Sequence, residues 1–151
     1  MMENSGAEAL NDLILMNNDR LRGYSKTMDL LEGQDKDLLD FFQSIAVQTQ
    51  HFLDDLGAEV KKSGCEVEMH TSVSGKLHLA WIALKATFVG KNRKTLLEEC
   101  ARGEQHLQNA YMDALNGDAP LKSEQWELIS DQLEQLKATL AAIKEKIETA
   151  P

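Results

Sequence analysis

SEQWELISDQLEQLKATLAAIKEKIE, residues 123–148, is the stretch on which the fold turns. Its side chains Trp126, Ile129, Leu133, Leu136, Leu140, Ile143 and Ile147 recur in unbroken steps of three and four. That period draws a single stripe along an α-helix and is incompatible with the two-residue alternation of a strand. Ser123 supplies an N-cap, and Asn116-Gly117-Asp118-Ala119-Pro120 is a turn that separates this helix from the one before it.

The same period recurs toward the N-terminus. Leu97, Cys100, Glu104, Leu107, Tyr111 and Ala114 mark a helix over 93–116, with Gly90 as breaker and Asn92 as cap. Leu38, Phe42, Ile45, Thr49, Phe52 and Leu56 mark one over 36–62, and Leu10, Ile14, Asn17, Leu21, Tyr24, Met28 and Leu31 one over 7–31. Gly33 suits a C-cap and Asp35 the next N-cap. The short connection there predicts an antiparallel hairpin. Between residues 62 and 93 the chain opens at Ser63-Gly64 and passes Cys65, Met69 and His70. A shorter helix is predicted over 74–89, where Leu77, Trp81, Leu84 and Phe88 form a stripe while Leu79 and Ile82 point elsewhere. A helix apolar nearly all round is covered on two sides. The expected fold is all-α: four helices of about 36–42 Å at 1.5 Å per residue, in one domain spanning 1–151. A single long crossover between the second and third is the ferritin-like arrangement of a four-helix bundle.

Composition narrows the possible functions. The chain has 151 residues, 42% of them apolar, and a net charge of −9 from 25 acidic and 16 basic side chains. Such a surface repels phosphate backbones, so nucleic acid is an unexpected partner. The one cationic cluster, Lys91-Asn92-Arg93-Lys94, falls at a helix junction and reads as a solvated turn. No apolar run reaches the roughly 18 residues of a membrane span, and Met1-Met2-Glu3-Asn4-Ser5 does not open a secretory signal. Cys65 in a polar loop and Cys100 on a core stripe make no disulfide framework, so a reducing cytoplasm is expected.

Three stripe positions are polar: Asn17, Thr49 and Glu104, each near the middle of its helix. In an antiparallel bundle, midpoints share a height, so the three are candidates for one polar core layer. Ferritin-like proteins place a di-metal centre there, built from Glu and Glu-x-x-His ligands. Here one inward carboxylate is too few for two divalent ions. His51, three residues after Gln48, falls on the outer face. His70, His78 and His106 share no ligand spacing; His78 flanks the stripe of the short helix, and His106 faces outward. There is no CxxC pair, phosphate loop or nucleophile elbow. No catalytic, cofactor-binding or metal-ligating residue is assigned. Glu104 is expected to be a buried acid bonded to Asn17, Thr49, Tyr24 or water, or to hold a single metal or small polar ligand.

Leu10-Asn11-Asp12-Leu13-Ile14, Asp19 and Gly23-Tyr24 resemble a known family, as do Ser74-Gly75-x-Leu77-His78-x-x-Trp81 and Leu97-Glu98-Glu99-Cys100-x-Arg102-Gly103-Glu104 with Tyr111. The family is the bacterial ferritin-like four-helix-bundle proteins that carry a domain of unknown function. The likeness covers about residues 10–147. It implies kinship with ferritins and a loose grouping with stress-associated proteins, but no activity. Members often carry a His in the final helix, where this sequence has Gln, Lys and Ala around 135–142.

Two functional expectations follow. The first is a non-enzymatic structural or interaction protein, dimeric through the apolar outer side of the short helix (Leu79, Ile82, Val89) helped by Val47 and Leu15. The second is a remodelled iron protein or oxidase that uses Glu104. A DNA-protecting cage is disfavoured by the charge and by the missing basic tail.

Overall fold

The structure, a computed structural model, describes residues 5–31, 35–67 and 93–149. They form four helices: α1 (Ser5–Leu30), α2 (Lys36–Lys62), α3 (Arg93–Asn116) and α4 (Ser123–Thr149). No strand occurs among the described residues. The short helix expected over 74–89, with His78, Leu79, Ile82 and Val89, lies outside them, as do His70 and the caps at Gly33 and Asn92.

Side-chain ties give the helix directions. Arg20 of α1 meets Glu104, and Asn17 meets Tyr111. Residue numbers therefore rise along α1 as they fall along α3. At one end of the bundle Arg93, the first residue of α3, pairs with Asp35 before α2 at 3.1 Å and with Asp37 inside it. At the other end Gln125 of α4 donates to Ser63 after α2 at 3.2 Å. Thus α1 and α4 run one way, and α2 and α3 the other. Packing is densest within the α1–α2 and α3–α4 hairpins. Val67 and Arg93 consequently stand at opposite ends. Gly64, at φ +78°, turns the chain after α2, and Asn11 of α1 donates to the Glu66 carbonyl at 3.0 Å.

The α2 stripe is buried throughout, from Leu38 to Leu56. On α3, Leu97, Cys100, Glu104, Leu107 and Tyr111 are buried and Ala114 partly so. The α1 stripe departs from expectation. Leu10, Ile14, Asn17, Tyr24 and Leu31 are inside as predicted, but Leu21 and Met28 are only half-buried, while Arg20 and Thr27 are 0% and 1% exposed. Leu10, Leu13, Asn17, Arg20, Tyr24, Thr27 and Leu31 also step by three and four. This helix is rotated toward that second stripe because a buried acid on α3 neutralises Arg20.

The last helix departs in the same way. Ile129, Leu133, Leu136, Leu140 and Ile143 are buried, but Trp126 is 49% exposed. Gln125 and Gln132 are inside instead, at 2% and 1% exposure, so the face predicted to be wholly apolar is not. Ser123 is not the cap either. The Trp126 N–H bonds the Lys122 carbonyl at 2.9 Å, which makes Lys122 the N-cap residue, and Gln125 Oε1 accepts from the Lys122 N–H at 2.9 Å. That is the reach-back half of a capping box. It turns Gln125 inward and Trp126 out. Asp35 keeps its place before α2, yet its side chain makes no cap bond and faces Arg93.

The rotated register has a measurable consequence. Leu136→Ala, at a fully buried site, is expected to cost about 2–5 kcal/mol. Trp126→Ala should cost no more than about 1 kcal/mol. Urea unfolding of the two variants measures both, and a larger loss at Trp126 would contradict the placement.

Candidate functional site

The polar residues at the bundle centre form two tiers. In the first, the Arg20 guanidinium enters from α1. Its Nε and Nη2 donate to Glu104 Oε2 and Oε1 at 2.9 and 2.7 Å, a bidentate fork. Its Nη1 donates to Thr49 Oγ1 at 2.9 Å. The Thr49 hydroxyl donates in turn to the Ile45 carbonyl at 2.7 Å, one turn back on α2. Tyr24 OH donates to Glu104 Oε2 at 3.0 Å. The rings of Tyr24 and Phe52 lie 5.8 Å from the guanidinium carbon, within range of cation–π attraction.

The second tier joins the remaining helix. Asn17 Nδ2 donates to Tyr111 OH at 2.9 Å and to the Leu13 carbonyl at 2.9 Å. Tyr111 OH donates to Gln132 Oε1 at 2.6 Å, and Gln132 Nε2 donates to the Phe52 carbonyl at 3.3 Å. The two tiers together touch α1, α2, α3 and α4.

All three residues singled out from sequence are buried, but they do not bond one another. Thr49 and Glu104 meet through Arg20, and Asn17 belongs to the second tier. Tyr24 is the expected partner of Glu104. Arg20, Tyr111 as a donor and Gln132 were missed. A signal for Arg20 exists: it lies three residues after Asn17 and four before Tyr24, on their face, and a buried carboxylate needs a cation.

Electrostatics keeps Arg20 charged and the two phenols neutral. Burial works against the Arg20 charge, but the Glu104 charge and hydrogen bonds outweigh it and raise its pKa. Tyr24 is raised well above the ordinary 10.0 by burial and then by the Glu104 charge, and burial also raises Tyr111. Burial, followed by Glu104, lifts the Cys100 thiol above its usual 9.0, so no reactive thiolate forms there. His51 is exposed, His106 is half-buried, and Cys65 is half-buried with Sγ 3.8 Å from the Ser63 carbonyl. Among the described residues no three His, Cys, Asp or Glu side chains stand where they would hold a metal.

Two measurements follow. Breaking the ion pair from one side, by Arg20→Met or Glu104→Leu, is expected to cost about 3–5 kcal/mol, because each leaves a buried charge alone. The double variant should be far less destabilised than the sum, which a double-mutant cycle by denaturant unfolding reads directly. The chain has only 2 tyrosines. Ultraviolet titration of the native protein should show no phenolate step near the ordinary pKa of 10.0. The folded state holds both phenols neutral, whereas the unfolded chain ionises them. Their stabilisation is therefore complete below pH 10.0 and is lost as pH rises above it.

No curated protein and no solved structure matches the chain. A family model described as Domain of unknown function (DUF2383) matches residues 6–117, covering α1 through α3 with Arg20, Thr49 and Glu104 and leaving α4 outside. The chain belongs to the DUF2383 family.

Proposed function

We propose that this protein is a non-enzymatic structural or interaction module of the cytoplasm, a ferritin-like bundle that pairs with a second copy of itself. The observation that carries this reading is the closure of the central layer. Both Glu104 oxygens are taken, by Arg20 and Tyr24; the Thr49 hydroxyl accepts from Arg20 and donates within α2, and the Tyr111 hydroxyl and the Gln132 amide bond across helices. Among the described residues Asn17 Oδ1 is left without a partner, but it is a neutral amide oxygen, and no side chain of the layer is held as a general base or nucleophile with a free position toward a substrate. The helix directions, with α2 and α3 parallel and their facing ends at opposite ends of the bundle, support the ferritin-like assignment.

The crossover-helix face expected to carry the pairing lies outside the described residues, and the pairing half rests here on α1 and α2. A groove of about 570 Å³ runs between them, lined by Ile14, Leu21, Leu53, Gly57 and Val67, with Asp54 and Lys61 on its rim. Val47, 48% exposed, continues it on α2. In a two-fold pairing with the two α2 helices antiparallel, Lys61 of one copy would face Asp54 of the other, twice over. No described helix is long and apolar enough to cross a membrane.

The ferritin-like reading raises the question of metal. The donor set does not fit one: among the described residues of the two tiers Glu104 is the single carboxylate, a guanidinium already forks onto it, and Asn17, Thr49 and Gln132 are neutral. Sedimentation is expected to show a dimer at tens of micromolar, and Val47→Glu should weaken it; a monomer would sink the pairing. Anaerobic Fe(II) titration with elemental analysis should find no stoichiometric iron, and iron that depends on Glu104 would overturn the non-metal reading.

A further inference from the structure

The surroundings of Arg20 are more complete than an ion pair requires. A carboxylate takes two of its nitrogens edge-on, a hydroxyl accepts from the third, and the Tyr24 and Phe52 ring centroids lie 5.8 Å from its guanidinium carbon. None of these four partners belongs to the same turn as Arg20: Thr49 and Phe52 come from α2, Glu104 from α3, and Tyr24 from the next turn of α1. Two of them also have support of their own. Thr49 is fixed by its bond to Ile45, and Tyr24 packs on Phe42 with ring centroids 5.4 Å apart. We propose that the bundle core is a guanidinium-binding site in its own right, which α1 fills in cis with the head group of Arg20. Its ligand class is a planar, monosubstituted or unsubstituted guanidinium, selected by the carboxylate fork and the aromatic faces over spherical cations of equal charge.

The tether explains why no external ligand is needed. A head group on its own helix is present at an effective concentration that no solute reaches. Cutting the stem while leaving the walls intact should expose the receptor, with room for the lost head group. Local opening of the bundle gives the solute its way in.

The test is Arg20→Ala, followed by thermal unfolding under far-ultraviolet circular dichroism with guanidinium or methylguanidinium chloride in the millimolar range. Such concentrations are far below those that denature. The variant is expected to melt about 10 °C lower than the parent, from a buried charge left unpaired in a chain of this size. Guanidinium should raise that midpoint saturably, whereas sodium and tetramethylammonium chloride should not. The parent protein and the Arg20→Ala/Glu104→Gln double variant should gain nothing. If Arg20→Ala does not fold unaided, the same titration is read as saturable recovery of helix. Equal responses of variant and parent to guanidinium would overturn the proposal. So would stabilisation of the variant by tetramethylammonium, or by Zn(II) or Mn(II) in preference to guanidinium.

Discussion

A guanidinium and a carboxylate taken out of water together govern how the two helical hairpins meet. Arg20 is 0% exposed and Glu104 1%, so each charge would be costly alone. Their fork has one satisfactory geometry. It therefore fixes the height and rotation at which α1 faces α3, in the way a single buried polar residue fixes the register of a coiled coil. Thr49 extends the tie to α2, and the Asn17–Tyr111–Gln132 chain extends it to α4. The apolar residues above and below supply the larger share of burial free energy, but Leu, Ile and Phe tolerate sliding that a bidentate bond does not.

This division of labour explains what could be read from the sequence. Helix positions were legible because four regular stripes with turn residues between them admit no other secondary structure. The stripe of α2 transferred to the structure unchanged. Those of α1 and α4 were read one position off on one side. In α1 Leu13 and Ile14 are both buried, and farther along the apolar Leu21 and Met28 compete with Arg20 and Thr27 for the same flank of the helix. Counting hydrophobic residues favours the first set. Only pairing with a residue 84 positions away, Glu104, makes the second set right. In α4, Trp126 outranks Gln125 on any hydrophobicity scale, yet the capping bond and the tie to Ser63 draw the amide inward.

The candidate site divides along the same line. Asn17, Thr49 and Glu104 stood out as polar members of apolar stripes. Arg20 and Gln132 did not, because each lies just beside a stripe that was already complete without it. Polar satisfaction is a stronger guide there than periodicity. An acid at the centre of a core demands donors, and the candidates within reach include the one arginine on the inner side of α1.

The placement of the central tie between the two hairpins bears on the order of assembly. Each hairpin brings together residues near in sequence, so each can gather its own contacts quickly. The Arg20–Glu104 bond joins α1 to α3 and is useless to either hairpin by itself. A lone hairpin keeps its charged residue hydrated. Dehydration of the pair thus belongs to the docking step, late and shared by both halves. The barrier to folding then contains an electrostatic component that salt and solvent polarity reach, although the contact itself ends up sealed from both.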